Sequence, residues 1–253
     1  MINNPLIDKL ASGQLVVGSF VYIPSAKLTE IVGLIGFDFI VIDMEHGPVD
    51  IGDAESMVGA AELAGTVPII RVTHNTPHII LHALDVGAVG VHVPEISDPE
   101  QAKEMVASAK YAPEGHRGLA GVRAARYGLK GSLAEYAQAA NKNTMAIAHI
   151  EHYEAIENLD ALLDVDGIDV YFLGPTDLSN SLGIPGQSGD SKVVDLVESA
   201  IKRIISRGKV AGCITVDPQM AQHYKQLGVL YLATHAIGHM ARGSRQFIEE
   251  IRK

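Results

Sequence analysis

The fold of this chain is decided by the stretch FDFIVIDMEHGP at positions 37–48. Its apolar part is short and rich in β-branched residues, which predicts a buried strand rather than a helix. Asp43, Glu45 and His46 come at the carboxyl end of that strand, and a Gly-Pro pair then ends it. In α/β proteins, ligands bind at this edge of the sheet. We therefore expect a functional site here if other strands deliver matching groups to the same edge.

Similar apolar runs recur along the chain and alternate with helical patterns. The predicted strands cover residues 15–20, 39–43, 67–71, 90–93, 145–151, 169–174, 209–214 and 230–234. Most are continuously apolar, which is typical of strands covered on both faces. Apolar spacings of three and four in 102–109 and 193–204 indicate amphipathic helices. Asp98-Pro99 and Asp217-Pro218 each predict a helix start, with an N-cap residue followed by proline.

Eight strand–helix units in 253 residues predict a single (β/α)8 TIM barrel over residues 1–253. The alternative is an open, doubly wound parallel sheet. The sequence lacks a Gly-x-Gly-x-x-Gly turn after the first strand and has no Gly-x-x-x-x-Gly-Lys-Ser/Thr loop. Since these are the common nucleotide-binding motifs of open sheets, the barrel is favoured. The long connection over 95–145 is expected to be functional or interfacial.

The composition is that of a globular protein with a sizeable core, with 47% hydrophobic and 20% charged residues. A net charge of -10 argues against binding to nucleic acid or to an anionic membrane, which would need a basic face. Cys213 is the single cysteine, so we expect no disulfide within the chain and a cytoplasmic location. We see no secretory signal pattern and no apolar run long enough to span a bilayer.

Two carboxylates close neighbouring strands of the predicted barrel. Glu151 ends the fifth predicted strand, and Asp177 follows the sixth in the run GPTD at 174–177. Carboxylate oxygens with room for water suit Mg2+ or Mn2+ rather than a closed zinc site. The alternative is that each residue caps the helix that follows, which is more plausible for Asp177 because glutamate caps helices poorly. We favour a metal role for the pair.

Arg71 and His46 are predicted to lie at the same end of the barrel. Arg71 suits bidentate binding of a carboxylate or phosphate, and a structural ion pair with Asp43 or Glu45 is a compatible alternative. His46 is a candidate general base because an unperturbed histidine titrates near neutrality. Asp85 comes late in the helix before the fourth strand. It reads as a solvated surface residue unless it orients His46.

Other chemistries find less support. A Schiff-base mechanism needs a lysine at the barrel mouth, but Lys209 begins its predicted strand and so lies at the opposite end. The remaining lysines fall on helices or loops. His74 and His78, like His235 and His239, are spaced for one helical face, but neither pair has the adjacent glutamate of a metallohydrolase motif. A metal-assisted mechanism at the carboxylates is therefore favoured.

Together these motifs resemble the signature of the HpcH/HpaI aldolase family. Its members are metal-dependent (class II) pyruvate aldolases, such as 4-hydroxy-2-oxoheptanedioate aldolase and 2-keto-3-deoxy sugar acid aldolases. The matching residues are FDFIVIDMEHGP at 37–48, VPIIR at 67–71, LDVGA at 84–88, VP at 93–94, RG at 117–118, RA at 123–124, Glu151 and GPTDLS at 174–179. They run in order over residues 15–245, and their combination is specific although no single piece is.

The resemblance implies a metal site and a carboxylate site. Glu151 and Asp177 would bind a divalent ion, Mg2+, Mn2+ or Co2+, which would chelate the keto and carboxylate oxygens of pyruvate. Backbone amides around Gly174, Pro175 and Thr176 would bind the pyruvate carboxylate. No organic cofactor is expected.

The resemblance also implies the remaining catalytic roles. Arg71 would hold the pyruvyl group and stabilise its enolate. His46, paired with Asp85, would act through water as the acid and base for the aldol hydroxyl. The family further implies a homo-oligomer, typically a hexamer, with a C-terminal helix exchanged between subunits and active sites near the subunit contacts.

Three positions depart from the family pattern. His149 stands where many members have glutamine, two residues before the expected metal ligand Glu151. Thr176 stands where many have alanine. After the eighth strand the chain reads LATHA at 232–236, so that His235 appears where a Gly-Ser/Thr-Asp run is common. These departures bear on the substrate more than on the reaction class.

The expected reaction is reversible retro-aldol cleavage of a 4-hydroxy-2-oxo acid into pyruvate and an aldehyde, both small molecules. One alternative uses the same enolate site for decarboxylation of an oxaloacetate-type 2-oxo acid, or for another carbon–carbon lyase reaction. A non-enzymatic alternative is a barrel that binds a 2-oxo acid without turnover. An intact set of acid, base and metal-binding residues argues against that last alternative.

Overall fold

A computed structural model describes residues 3–253, and in it eight parallel strands close into a barrel in sequence order. The strands are β1 (Val16–Val21), β2 (Phe39–Asp43), β3 (Val67–Arg71), β4 (Gly90–Val93), β5 (Met145–Ile150), β6 (Val170–Leu173), β7 (Ala211–Ile214) and β8 (Tyr231–His235). The last strand pairs with the first, with Val16 opposite Tyr231, and so closes the barrel. The predicted TIM barrel is confirmed, and the predicted strand ends agree to within two residues.

Helices surround the barrel and connect its strands. They are α1 (Pro5–Ala11), α2 (Ala26–Leu34), α3 (Ile51–Ala64), α4 (Pro77–Asp85), α5 (Pro99–Ala109), a 3-10 helix (Arg123–Gly128), α6 (Leu133–Asn143), α7 (Tyr153–Glu157), α8 (Leu159–Leu163), α9 (Pro175–Ser181), α10 (Ser191–Ser206), α11 (Pro218–Gln226) and α12 (Ala236–Ile251). The predicted N-caps Asp98 and Asp217 accept hydrogen bonds from backbone N–H groups of α5 and α11. Among residues 3–253, no helix has the length and apolarity needed to cross a membrane.

The alternation of side chains along each strand determines which residues face the barrel interior. In β2, Phe39 and Val41 belong to an apolar cluster inside the barrel, whereas Ile40 and Ile42 pack under the helices. Side chains two residues apart lie on the same face of a strand, so Asp43 follows Phe39 and Val41 into the interior. The carboxyl end of β2 therefore places the polar side chain of Asp43 above the interior apolar side chains of Phe39 and Val41.

The same parity brings further polar groups inside. Val67 and Ile69 are interior residues of β3, so the next interior residue is Arg71. Met145 and Ile147 are interior residues of β5, and His149 and then Glu151 continue that face. These polar residues form the upper part of the barrel interior, where TIM-barrel active sites lie.

Candidate active site

Arg71 is held by two carboxylates from the end of β2. Its Nε donates to Asp43 Oδ1 over 2.8 Å, and its Nη2 donates to Asp43 Oδ2 over 2.5 Å. The Nη1 atom lies 3.0 Å from Glu45 Oε2, close enough for an ion pair although not aligned as a hydrogen bond. The guanidinium also lies over the ring of Phe20, 4.9 Å from its centroid. The structural ion pairs expected as one alternative for Arg71 are therefore present.

The Asp43–Arg71 pair is buried, and each partner favours the charged form of the other. Burial by itself raises the pKa of Asp43, but the hydrogen bonds and charge of Arg71 outweigh it and hold the pKa below its ordinary value. Burial likewise disfavours the Arg71 cation, yet Asp43 and Glu45 raise the pKa of Arg71 above its ordinary value. Asp43 Oδ1 also accepts from the backbone N–H groups of Glu45 and His46, so it shapes the loop after β2.

The pKa of Glu45 shifts in the opposite direction from that of Asp43. Burial raises the pKa of Glu45 to about 7, because desolvation and the negative charge of Glu151 outweigh the attraction of Arg71. In the folded protein the carboxyl therefore takes up a proton at a higher pH than in the unfolded chain. The folded state binds more protons between the ordinary value of 4.5 and about 7, so stability falls as the pH rises through this range.

Replacing Glu45 with glutamine is expected to stabilise the protein in EDTA above pH 7, where the buried charge is otherwise present. The gain is up to about 3 kcal/mol and disappears below about pH 4.5, where the wild-type carboxyl is protonated in both states. Urea unfolding of both proteins from pH 4 to 8.5 measures it. Glu30→Gln, at an exposed position of α2, serves as the control. An equal stability difference at every pH would contradict the prediction.

Glu151 and Asp177 meet at Gly174, where β6 passes into α9. A Cβ atom on Gly174 would lie 2.9 Å from Glu151 Oε2 and 3.8 Å from Asp177 Oδ2. Since it would also lie 2.9 Å from Glu151 Cβ, any larger residue would displace the glutamate. Glycine at this position therefore allows the two carboxylates to approach the same point.

The two carboxylates have unequal support. Glu151 Oε2 accepts from His149 Nδ1 over 2.9 Å, and Glu151 Oε1 accepts from the N–H of Glu95 over 3.0 Å. Burial alone would raise the pKa of Glu151, but His149, the Glu95 N–H and Arg71 lower it to about 2. Burial and the adjacent charge of Glu151 raise the pKa of Asp177. Within residues 3–253 the Asp177 carboxylate accepts no hydrogen bond, and the charges of His46, Arg71 and His149 offset only part of this rise in its pKa.

A hard divalent cation fits this pair of carboxylates. Two oxygen donors whose charges repel each other are relieved by a cation between them, and Mg2+ commonly uses one or two carboxylates plus water or substrate oxygens. Residues 3–253 hold no group of three or more His, Cys, Asp and Glu side chains arranged for a metal ion, so a closed protein cage is not formed there. Neither carboxylate is a helix cap, because Gly174 precedes α9 and His152 caps α7.

The structure does not bring Asp85 to His46 within one chain. His46 is exposed at the barrel mouth, just after β2. Asp85 is the last residue of α4, a helix that runs back toward the amino-terminal ends of the strands. There it accepts from Arg117 Nη2 over 2.8 Å, and the buried Arg117 guanidinium lies over the ring of Tyr111. The resemblance implies a pairing of His46 with Asp85, but the two residues do not form this contact within a single subunit.

The remaining predicted residues lie where the sequence placed them. Pro175 and Thr176 begin α9 beside the two carboxylates, and Ser179 Oγ donates back to the Thr176 carbonyl. His235 ends β8 at the mouth and packs against Phe20 and Tyr22. Its Nδ1 is buried without a hydrogen-bond partner in the described chain. Burial, and then the charge of Arg71, lower the pKa of His235.

Sequence reasoning missed two interior residues that are linked to the site by hydrogen bonds, His92 and Tyr231. His92 Nδ1 lies 2.8 Å from His149 Nε2, and His92 Nε2 lies 2.8 Å from the hydroxyl of Tyr231. Strand parity was the available signal, since His92 lies one residue from both Val91 and Val93, which face the helices. Reading parity in every strand would have placed this histidine inside the barrel.

A sequence model of the HpcH/HpaI aldolase/citrate lyase family matches residues 17–242. The chain belongs to this family. It is 34% identical over 233 residues to a 2-keto-3-deoxy-L-rhamnonate aldolase of Escherichia coli (strain K12), a match that covers 92% of the chain and 87% of the relative. The resemblance inferred from the motifs is confirmed, and the protein belongs to a family of carbon–carbon lyases of the aldolase type.

Solved structures of HpcH/HpaI family members share the complete fold. A family protein from Burkholderia cenocepacia J2315 superposes with a TM-score of 0.94 at 28% identity, covering 99% of this chain and 100% of that one. An HpcH/HpaI aldolase from Desulfitobacterium hafniense DCB-2 gives a TM-score of 0.91 at 29% identity, covering 98% and 96%. The likeness therefore extends over the barrel, the helices and the connections.

Proposed function

We propose that this HpcH/HpaI family member cleaves 4-hydroxy-2-oxo acids reversibly into pyruvate and an aldehyde. The observation that supports this most strongly is the arrangement of Arg71 between Asp43 and Glu45, next to the carboxylates of Glu151 and Asp177. The carboxylate and keto oxygens of a 2-oxo acid carry negative or partly negative charge and are stabilised by positive charge. Arg71 supplies one fixed positive charge, and the two carboxylates could hold a metal cation that supplies another. The aldolase names of the curated relatives support the reaction class.

Glu151 and Asp177 are the residues that would hold Mg2+, Mn2+ or Co2+. When bound, such an ion supplies Lewis-acid polarisation of the substrate's 2-oxo group. The carboxylates of Glu151 and Asp177 provide the negative charge for it. In the N-terminal turn of α9, the backbone N–H of Thr176 is a donor from which the substrate carboxylate would accept a hydrogen bond. Gly174 and Pro175 shape this turn, and Pro175 has no N–H to donate.

The other residues move and stabilise charge. His46, acting through water, takes the proton from the 4-hydroxyl group, and the electron pair of the C3–C4 bond passes to the keto side as the aldehyde leaves. Arg71 stabilises the negative charge that develops on the pyruvate enolate, and its carboxylate partners keep it from moving. The proton that His46 has taken up returns through water to C3, which gives pyruvate and regenerates the base. In the reverse direction His46 returns the proton to the new hydroxyl.

The reaction is tested by incubating the protein with pyruvate, Mn2+ and a panel of hydroxyaldehydes, with oxaloacetate in a parallel tube. We expect aldol products whose formation stops on addition of EDTA. Release of CO2 from oxaloacetate without any aldol product would replace the aldolase proposal by decarboxylation. Pyruvate binding by calorimetry with no turnover in either assay would support the non-enzymatic alternative.

We also propose that the protein is a homo-oligomer, hexameric as in its family, and that α12 takes part in the contacts. No residue of α12 is buried in the described chain, although Met240, Phe247, Ile248 and Ile251 form an apolar stripe along it. Such a stripe on a helix of this length is typical of a face that packs against protein.

A groove beside β8 is open to receive such a helix. It has a volume of about 400 Å3, and its lining combines the apolar residues Leu15, Val17, Phe37, Ala221 and Leu232 with polar ones such as Thr215, Asp217 and Lys225. A barrel normally covers this position with its last helix. The chain's own α12 contributes His239 to the lining of this groove but leaves it open. An α12 from another subunit is the occupant we propose.

Replacing Phe247 with glutamate is expected to convert the oligomer to monomers, because the new charge would be buried without a partner. Light scattering after size-exclusion chromatography measures the mass. Glu249→Gln is the control, since it also changes the charge by one unit but on the opposite face of α12. A wild-type monomer, or a Phe247→Glu oligomer of unchanged mass, would contradict the proposal.

In an oligomer, Asp85 would support His46 only from a neighbouring subunit. We therefore expect His46→Ala and Asp85→Asn to be poorly active alone and to regain activity when co-expressed as mixed oligomers. Mixing creates some sites that combine an intact His46 with an intact Asp85. Asparagine keeps an acceptor for Arg117, so folding is preserved. Absence of any recovery in verified mixed oligomers would remove Asp85 from the site.

The single cysteine supports a cytoplasmic location for the protein. Cys213 is buried in β7, and burial raises the pKa of its thiol to about 12. A buried, protonated thiol is unreactive and fits the reducing conditions of the cytoplasm.

A further inference from the structure

A continuous chain of hydrogen bonds runs down the interior of the barrel from the active site. Glu151 Oε2 lies 2.9 Å from His149 Nδ1, and His149 Nε2 lies 2.8 Å from His92 Nδ1. His92 Nε2 in turn lies 2.8 Å from the hydroxyl of Tyr231. Glu151 closes β5 at the mouth, whereas Tyr231 is the first residue of β8. The chain therefore links the mouth to the opposite end of the barrel.

One hydrogen-bond direction satisfies every member of this chain. The ionised carboxylate of Glu151 can only accept, so His149 Nδ1 carries a hydrogen and donates to it. With neutral imidazoles, His149 Nε2 accepts from His92 Nδ1, and His92 Nε2 accepts from the Tyr231 hydroxyl. Each histidine has one donor and one acceptor, and both are used. All three hydrogen bonds then point toward the carboxylate.

The chain is enclosed by aromatic rings and has no access to solvent. His92 and Tyr231 are fully buried, and His149 is 1% exposed. The ring centroids of Phe20 and Phe172 lie 5.6 Å and 4.9 Å from that of His92, and Phe172 also packs against His149. Barrel interiors are usually filled with branched aliphatic side chains. Two imidazoles in such a place are costly to bury and are tolerated because each polar atom has a partner.

We propose that Tyr231, His92 and His149 are positioning residues that hold the Glu151 carboxylate in one orientation for the divalent cation. This inference rests on the cation site of the proposed function. Glu151 Oε1 is restrained by the Glu95 N–H, and Oε2 is restrained by His149, so rotation of the carboxylate would break both hydrogen bonds. His149 is itself fixed by His92, and His92 by Tyr231.

The orientation of the His149 ring behind Glu151 depends on its neighbours. A hydrogen-bond partner behind a metal ligand typically contributes 10–100-fold to metal affinity, at order of magnitude. A free imidazole can flip or rotate, and such motion would release Glu151. The contacts with His92 and Phe172 prevent that motion, so the affinity of the cation site depends on residues that never touch the cation.

Calorimetric titration of the purified full-length protein with Mn2+, without substrate, tests the inference, and thermal unfolding in EDTA is recorded in parallel. His149→Leu removes the donor to Glu151 and is expected to raise the Kd for Mn2+ about 10–100-fold. His149→Gln keeps an N–H donor and is expected to restore the Kd to within about 3-fold of wild type. Tyr231→Phe removes the hydrogen-bond partner of His92 Nε2, which loosens the restraint on His92, and is expected to raise the Kd about 3-fold.

Tyr171→Phe is the matched control for Tyr231→Phe. Tyr171 is also a fully buried strand tyrosine, but its hydroxyl donates to the Leu162 carbonyl, away from Glu151. It is expected to lower the unfolding temperature without changing the Kd. If Tyr231→Phe and Tyr171→Phe have the same Kd, or if His149→Leu binds as wild type, the positioning role is overturned. Should His149→Leu fail to fold, the tyrosine pair and His149→Gln still decide.

The same titration separates this inference from the proposed function. Loss of Mn2+ binding in Asp177→Asn establishes that the titrated ion occupies the carboxylate site. If wild-type protein does not bind Mn2+, or Asp177→Asn binds it unchanged, the cation site itself fails and the positioning role fails with it. If Asp177→Asn loses binding while His149→Leu does not, only the positioning role is wrong.

Discussion

Replacing Glu151 with glutamine is expected to reduce kcat/KM for aldol cleavage by roughly a thousandfold or more, because Lewis-acid stabilisation is worth several kcal/mol. Glutamine has nearly the same shape as glutamate, and its side-chain oxygen can still accept from the Glu95 N–H or from His149. The fold is therefore expected to remain intact. The substitution removes a negative charge that Asp177 alone cannot replace.

The measurement combines initial rates at saturating Mn2+ with the Kd for Mn2+. Glu154→Gln, three residues further along and exposed on α7, makes the same chemical change outside the site and serves as the control. We expect the control to retain wild-type rates and affinity. A Glu151→Gln enzyme that remains fully active and EDTA-sensitive would show that the cation is bound elsewhere.

Replacing Arg71 with methionine is expected to have the largest effect on stability, a loss of about 3–5 kcal/mol, together with loss of activity. The Asp43 carboxylate is 1% exposed and receives two hydrogen bonds from Arg71. Without the guanidinium, this buried charge has no compensating cation, and Glu45 loses its ion-pair partner as well. Arg71→Lys would keep a charge but not the two-point contact, so an intermediate loss is expected.

The cause of that loss can be checked by removing the stranded charge. Asp43→Asn combined with Arg71→Met is expected to recover part of the stability in urea unfolding without recovering activity, because the unpaired Asp43 charge is then absent. Arg207→Met, which breaks an exposed ion pair with Asp164, is the control and is expected to cost less than about 1 kcal/mol. An Arg71→Met loss no larger than that of the control would contradict the argument.

Much of the barrel could be predicted because local signals agree with the global fold. The run from Phe39 to Ile42 is short, β-branched and continuously apolar, and only a strand covered on both faces buries such a run completely. The bounds of β2, β3 and β4 were predicted without error. Lys209 was assigned to the seventh strand but lies before β7, because the chain enters the barrel only at Ala211.

Contacts between distant segments were less predictable. Asp85 was paired with His46 by resemblance, but in the folded chain it binds Arg117, which follows it by 32 residues. No local pattern indicates which of several arginines meets a given aspartate, because that choice depends on where the long connection after α5 returns. The His92–Tyr231 contact, over a separation of 139 residues, was missed for the same reason.

The sequence by itself determined the strand–helix alternation, the residues at the strand ends and, through them, the family. These features follow from hydrophobic periodicity and from the chemistry of single residues, both of which are visible in the sequence alone. The tertiary structure decided which groups meet: Arg71 between Asp43 and Glu45, two carboxylates beside Gly174, and a hydrogen-bonded chain from Glu151 to Tyr231. The physical reason is that closure of the barrel brings side chains from different strands into one interior, and the pairing there depends on register, strand parity and packing in three dimensions.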